Sequence, residues 1–223
     1  MNICVAIPSK NEARNIGDLI QKIKRLKLDV VVIDDGSTDA TASIAKKHGA
    51  IVLRNEQNKG KGVSLRMAFD FVIVHNYTGV IVMDGDGQHD PADIPHFIDK
   101  VKSTHAGLIV GNRMIKPDDM PFIRWCTNTF MSMIISSISR QNIPDSQCGY
   151  RYISSDVLEK MKFISKKFEI ESEILIEASR AGCIIDSVSI RSIYQGQTSK
   201  INPIIDTLRF LRFIIRKLWV SRN

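Results

Sequence analysis

The chain has 223 residues, of which 43% are hydrophobic and 25% charged, and a formal net charge of +7. Those values fit one well-buried globular core and exclude disordered, collagen-like and coiled-coil classes. The surplus of positive charge favours anionic partners such as nucleotides or lipid headgroups.

In chain order, Ile3-Cys4-Val5-Ala6-Ile7 predicts a first strand over residues 2–7, with no secretory signal before it. Further strands are expected at 29–33, 50–53, 79–83 and 107–110, and helices near 12–26, 39–47, 62–75 and 91–102 alternate with them. That order is βαβα, so the fold class is α/β: a mostly parallel sheet flanked by helices. The character changes at Pro117 to Pro121, and the Met-, Ile- and Ser-rich stretch 122–139 reads as an amphipathic helix or helix pair. A short strand at 149–153, helices near 155–161 and 169–181, and a strand at 184–190 follow. The last element is a helix from Ile204 to Trp219. Leu208, Leu211, Ile215, Leu218 and Trp219 share one stripe of it, and Arg209, Arg212 and Arg216 another. No apolar run approaches the roughly 18 residues of a membrane span, so any membrane association is expected to be peripheral. Cys4, Cys126, Cys148 and Cys183 form no C-x-x-C pair and read as buried free thiols of a reducing compartment.

The most informative segment is Val80-Ile81-Val82-Met83-Asp84-Gly85-Asp86-Gly87-Gln88-His89-Asp90-Pro91. An apolar strand ends in carboxylates separated by glycines, and Asp90-Pro91 reads as the cap and first position of the next helix. Asp84, Asp86 and Gln88 place oxygen-bearing side chains at alternating positions of a turn, which suits octahedral Mg²⁺ or Mn²⁺ that keeps substrate phosphate oxygens as ligands. An EF-hand loop starting at Asp84 is rejected, because it needs glycine where His89 stands and glutamate where Pro95 stands. The second strand also ends in acid, Asp34-Asp35-Gly36-Ser37-Thr38-Asp39. Thr38 or Asp39 suits a helix cap, and Asp35 suits an acceptor for a base N–H or a sugar hydroxyl. The first strand ends in Ile7-Pro8-Ser9-Lys10-Asn11-Glu12, which is neither G-x-G-x-x-G nor a P-loop. Asn58-Lys59-Gly60-Lys61-Gly62 opens a helix and reads either as a phosphate-meeting turn or as a solvated loop.

Six motifs stand in one order: Pro8-Ser9-x-Asn11-Glu12, Asp34-Asp35-Gly36-Ser37, Asn58-x-Gly60-x-Gly62, Asp84-Gly85-Asp86-Gly87-Gln88, Gly111-Asn112-Arg113 and Asp145-Ser146-Gln147-Cys148-Gly149-Tyr150-Arg151. Together they resemble glycosyltransferase family 2, and within it the dolichol- or polyprenyl-phosphate sugar synthases, over about residues 3–200. The resemblance implies a GT-A fold, a nucleotide-diphospho-sugar donor, a divalent metal and inversion at the anomeric carbon. By position it implies that Pro8, Lys10, Glu12, Ile33 and Asp35 line the nucleoside pocket and that Asp84 and Gly85 contact the nucleotide. Asp86 and Gln88 would ligate Mg²⁺ or Mn²⁺, and Arg113 and Lys200 would neutralise phosphate charge. Two positions depart from the family pattern. Lys10 stands where an aromatic residue is usual, and Tyr194 stands where the archaeal and eukaryotic mannose enzymes carry a basic residue.

On this reading residues 1–202 form the GT-A domain, 117–140 an acceptor- or membrane-facing helical segment within it, and 203–223 a basic amphipathic helix. A polyprenyl phosphate is already anionic and can attack without a base, whereas a sugar hydroxyl must lose a proton. Asp145 is the candidate base for that second case, on the loop that presents Arg151, and the residues expected to be catalytic are Asp86, Arg113, Asp145, Arg151 and Lys200. The expected place is cytoplasmic, peripheral at the inner face of the membrane, with the membrane surface and a membrane-protein partner or second copy as partners. The alternatives are a family 2 transferase acting on a saccharide hydroxyl and a non-catalytic nucleotide-sugar-binding scaffold. Nucleic acid is not expected as a partner, since aromatics make up 7% and no recognised motif accompanies the lysines.

Overall fold

The computed structural model of the chain describes residues 1–115, 120–191, 193 and 203–220, without the side chains of 203–206, 208 and 218–220. Pro117, Tyr194 and Lys200 therefore lie outside the described residues, as do the side chains of Leu208, Leu218 and Trp219.

Seven strands form one sheet: β1 (Ile3–Ser9), β2 (Asp29–Asp35), β3 (Ile51–Asn55), β4 (Gly79–Val82), β5 (Leu108–Asn112), β6 (Arg151–Ser154) and β7 (Ile185–Ser189). Their spatial order is β3-β2-β1-β4-β6-β5-β7. All neighbours are parallel except β6, which runs antiparallel to both β4 and β5. Apolar periodicity locates β6 but says nothing of its direction. The register places Arg151, the first residue of β6, opposite Val82 and Val110 toward the carboxyl ends of β4 and β5, so β6 enters the sheet from the end at which the parallel strands leave it.

The crossovers are α1 (Ile16–Arg25), α2 (Thr41–Lys47), α3 (Lys61–Val74) and α4 (Ile94–Ser103), the last preceded by a 3-10 turn at Pro91–Asp93. Asp90 caps that turn by accepting from Ala92 N–H at 3.0 Å. Residues 122–139 form one helix, α5 (Phe122–Ser139), and α6 (Ser155–Leu158), α7 (Ile170–Arg180) and α8 (Pro203–Val220) complete the fold. The central strands β1, β2 and β4 are buried on both faces, which is why they read as unbroken Val/Ile runs. Cys4, Cys148 and Cys183 are buried free thiols and Cys126 is half-buried.

α8 packs on α5 through the buried residues Phe210 and Ile214, and Lys217 Nζ donates to Glu173 Oε1 of α7 at 2.6 Å. Of the stripe expected from the sequence, Leu211 packs against the core but Ile215 points to solvent, and the inward face includes Phe210, Ile214 and Lys217. Glu173 is fully buried, and Lys217 together with the N–H groups of Ile164 and Ser165 compensates its carboxylate. No helix among the described residues is long and apolar enough to cross a membrane.

Candidate active site

The carboxyl ends of β1, β2 and β4 open into a cleft of about 360 Å³ whose lining includes Pro8, Lys10, Glu12, Asp35, Asp84, Gly85 and Asp86. Ligands bind at that edge of open α/β sheets because loops there diverge from a fixed base. Three ends meet because short polar residues tie them. Asn11, in the left-handed region at φ 56°, receives Ser37 as acceptor for its N–H at 2.9 Å and accepts from Thr38 N–H at 2.9 Å. Asp39 accepts from Thr41 N–H at 2.9 Å and from Ala13 N–H at 3.2 Å, so it serves the start of α2 and also anchors the loop after β1. Asn15 donates to Asp86 O at 3.1 Å and to Glu12 Oε2 at 3.1 Å, fixing the first motif to the fourth.

Asp35 lines the cleft, and its carboxylate accepts from Asn55 Nδ2 (2.9 Å), Lys59 N–H (2.9 Å) and Gly60 N–H (2.8 Å). Part of the acceptor capacity that suits it to a base or ribose is thus spent on shaping residues 55–60. Ile33 is fully buried between Pro8 and Leu53 in register, so its side chain belongs to the core and does not line the cleft.

Asp84 is held by Lys61, whose Nζ donates to Asp84 Oδ1 at 2.5 Å and sits 2.7 Å from Glu171 Oε1. Burial pushes the Asp84 carboxyl up, but the Lys61 ammonium, with Arg113 beyond it, overrides it and holds the group down at about 2. Burial likewise works against the Lys61 charge, and Asp84 and Glu171 reverse that, raising it above the usual lysine range. Gly149 makes the meeting possible: a Cβ there would stand 2.8 Å from Asp84 Oδ2 and 3.0 Å from Lys61 Nζ. His89, buried against the Tyr150 ring, accepts from Asp84 N–H through Nδ1 at 3.1 Å. Burial lowers its pKa, in keeping with a neutral ring whose Nδ1 lone pair is in use.

Asp86 Oδ1 accepts from Gln88 N–H at 3.0 Å, which curls the turn so that the carboxylate and the Gln88 amide belong to one short loop. Gly87, at φ 80°, supplies the left-handed residue the curl requires. Gln88 O accepts from Ile193 N–H at 3.0 Å, so the chain leaving β7 is drawn to this turn. The donors are all hard oxygens, and among the described residues no three His, Cys, Asp or Glu side chains gather into a closed metal cage. An open set of one carboxylate and one amide fits a Mg²⁺ or Mn²⁺ that completes its shell with phosphate and water.

Arg113, expected to meet phosphate, and Arg151, expected to be catalytic, are otherwise engaged. Arg113 donates through Nε to Asp145 Oδ2 at 2.7 Å and through Nη2 to Asp145 Oδ1 at 2.9 Å. Asp145 is fully buried; burial alone would raise its carboxyl, but Arg113 holds it below the usual carboxylate range, and a group so paired is a poor proton acceptor. Arg151 is 1% exposed and donates to the carbonyls of Cys148, Glu171 and Ser146. Its guanidinium therefore stitches the 146–151 loop to α7 and does not reach the cleft, contrary to the catalytic role expected from the sequence.

Lys61, Glu171 and the segment before α7 were not singled out as site residues. The sequence of Asn58 to Gly62 marks only a turn whose amides and ammonium groups could meet phosphate. In the structure Gly60 N–H goes to Asp35, Gly62 N–H goes to Lys166 O at 3.0 Å, and Lys61 carries the charge into the site. A lysine between two glycines at a helix start was the available signal. Glu171 gave none, because nothing in a helix pattern marks which acid faces a distant lysine.

The model of the family described as glycosyl transferase family 2 matches residues 4–162. An uncharacterized protein of Methanocaldococcus jannaschii is 31% identical over 198 residues, covering 86% of this chain and 82% of that protein. UDP-N-acetylglucosamine–dolichyl-phosphate N-acetylglucosaminyltransferase of Methanococcus voltae is 27% identical, with 97% of this chain and 96% of the relative covered. Among solved structures, glucosyl-3-phosphoglycerate synthase of Mycobacterium tuberculosis, in complex with Mn²⁺, UDP and phosphoglyceric acid, superposes with a TM-score of 0.74 at 18% identity, over 96% of this chain and 78% of that one.

Proposed function

The chain belongs to glycosyl transferase family 2 and is a glycosyltransferase of GT-A fold, and from that premise we propose that it transfers a hexose or related sugar from a nucleotide-diphospho-sugar to a polyprenyl phosphate. The observation that carries the choice of acceptor is the Arg113–Asp145 pair. Both Asp145 oxygens are bonded to Arg113, so the one residue the sequence offered as a general base has no proton-accepting capacity near neutral pH. A phosphate monoester needs no such base. The name of the Methanococcus voltae relative, which acts on dolichyl phosphate, supports the same acceptor class.

In the reaction, the anionic Asp84 and the cleft-facing Asp35 and Glu12 accept from donor N–H and hydroxyl groups and fix the nucleoside. Lys61 keeps Asp84 ionised and stiff, so the acceptor geometry is set before the donor arrives. Asp86 and Gln88 would hold the divalent ion, which when bound neutralises charge on the donor diphosphate. Lys200, beyond the described residues, is proposed to add positive charge on the acceptor side.

A membrane-bound acceptor also accounts for α5. Phe122, Ile123 and Met133 of this helix are 75%, 65% and 67% exposed, an apolar face that nothing among the described residues covers, and Arg209, Arg212 and Arg216 lie on the neighbouring α8. We place the protein at a membrane surface by these two helices, on the side that supplies nucleotide sugars. The decisive experiment incubates purified protein and Mg²⁺ or Mn²⁺ with UDP- and GDP-sugars and, in parallel, undecaprenyl phosphate, dolichyl phosphate, 3-phosphoglycerate or a saccharide. Transfer to a lipid phosphate is expected; transfer only to a hydroxyl acceptor would overturn the proposal.

A further inference from the structure

Phe168 is 75% exposed, yet it does not stand on a loose loop. It follows a segment fixed at several points. Glu173 accepts from Ile164 N–H and Ser165 N–H, at 3.1 and 2.9 Å, and Arg66 donates to Phe163 O at 3.1 Å. The carbonyls of Ser165 and Lys166 press on Gly62 and Gly60, where any Cβ would come within 2.4 Å of them. The ring that emerges lines the same cleft as Pro8, Lys10, Asp35 and Asp84, and Lys61 Nζ lies 6.0 Å from its centroid.

A phenyl ring kept in water by a braced backbone, in a cleft that also presents carboxylates, ammonium groups and Pro8, suits a flat apolar partner. We propose that Phe168 is the stacking surface for the nucleobase of the donor and so a positioning residue for nucleotide binding. This rests on the reading of the cleft as a nucleotide-sugar site. It also accounts for Lys10, which stands at the end of β1 where an aromatic ring is absent and which has no face to offer a base. The nucleobase is favoured over a lipid chain as the partner because the ring shares its cleft with Asp35 and Glu12, carboxylates that can accept from the N–H and hydroxyl groups of a nucleoside and that a lipid chain cannot use.

The test measures Mn²⁺-dependent binding of UDP, GDP and inorganic pyrophosphate to the wild-type protein, Phe168→Ala and Phe168→Trp. The side chain is exposed, so both variants should fold. Phe168→Ala is expected to weaken UDP and GDP about tenfold or more and to leave pyrophosphate unchanged, as loss of one base–aromatic stack does. Phe168→Trp should keep the affinity and show quenching of its added fluorescence when UDP binds. The inference fails if Phe168→Ala binds UDP like wild type, if pyrophosphate weakens equally, or if only the KM for polyprenyl phosphate rises, which would assign the ring to the lipid. If the wild-type protein binds neither UDP nor GDP, the nucleotide-site reading itself is lost, and the inference with it.

Discussion

Arg113 and Asp145 close on each other through three hydrogen bonds, from Nε, Nη2 and the Arg113 backbone N–H, the last at 3.2 Å. The pair is buried, so each member compensates a charge that the other would leave stranded.

Asp145→Asn removes that compensation. We expect a stability loss of about 3 kcal/mol from the uncompensated arginine, seen as a lower urea midpoint. Turnover should fall, but the acid limb of the kcat/KM profile should stay where it is in the wild type, because Asp145 is not the group that titrates there. A limb that disappears in the variant would restore Asp145 as a base.

The Lys61–Asp84 contact predicts how donor binding responds to acid. The native Asp84 value of about 2 lies below the ordinary carboxylate value of 3.8, so the folded protein binds fewer protons at this site than the unfolded chain. Its stabilising contribution is complete above 3.8 and fades only as pH falls toward about 2. Lys61→Met removes the cation and leaves burial to act alone, so the acid loss of UDP binding should move to higher pH. Calorimetric titrations of both proteins between mildly acidic and neutral pH would show it; superimposable curves would refute the coupling.

Asp86→Asn keeps the shape of the turn but weakens an oxygen ligand. Mn²⁺ affinity measured by electron paramagnetic resonance with UDP present should drop at least about tenfold. Retained affinity would move the metal away from this turn.

Gly149 tests the packing behind Asp84, Lys61 and Glu171. An added methyl in Gly149→Ala meets Asp84 and Lys61 side-chain ends, which can shift, so the stability cost should stay near 1 kcal/mol. The shift should nevertheless disturb the nucleotide contact and raise the donor KM several-fold, a split between stability and binding that thermal melts and steady-state kinetics would reveal together.

For the membrane, the double change Phe122→Ser with Ile123→Ser removes apolar area from an already exposed face. Folding should be untouched, while sedimentation with anionic vesicles falls several-fold. Equal sedimentation would mean that other residues make the contact.

The sequence by itself determined the strand ends. Apolar runs that stop at Asp34-Asp35 and at Asp84-Gly85-Asp86 fix where the chain leaves the core, because burial and charge cannot share a residue cheaply. That was enough to read an α/β sheet, the order of its first five strands and helices, and the carboxylate-rich edge. Which groups those carboxylates meet was decided only by the tertiary structure. Arg113 and Asp145 are 32 positions apart, and no local spacing relates them. Arg151 reads identically as a catalytic cation or a buried staple until its carbonyl partners are known. Lys61 and Glu171 become site residues only because α3 and α7 arrive at the same edge of the sheet. Periodicity reports which residues leave water, since that is a property of each side chain. Partnership depends on where two distant segments pack, and the electrostatics of the cleft follow from that packing.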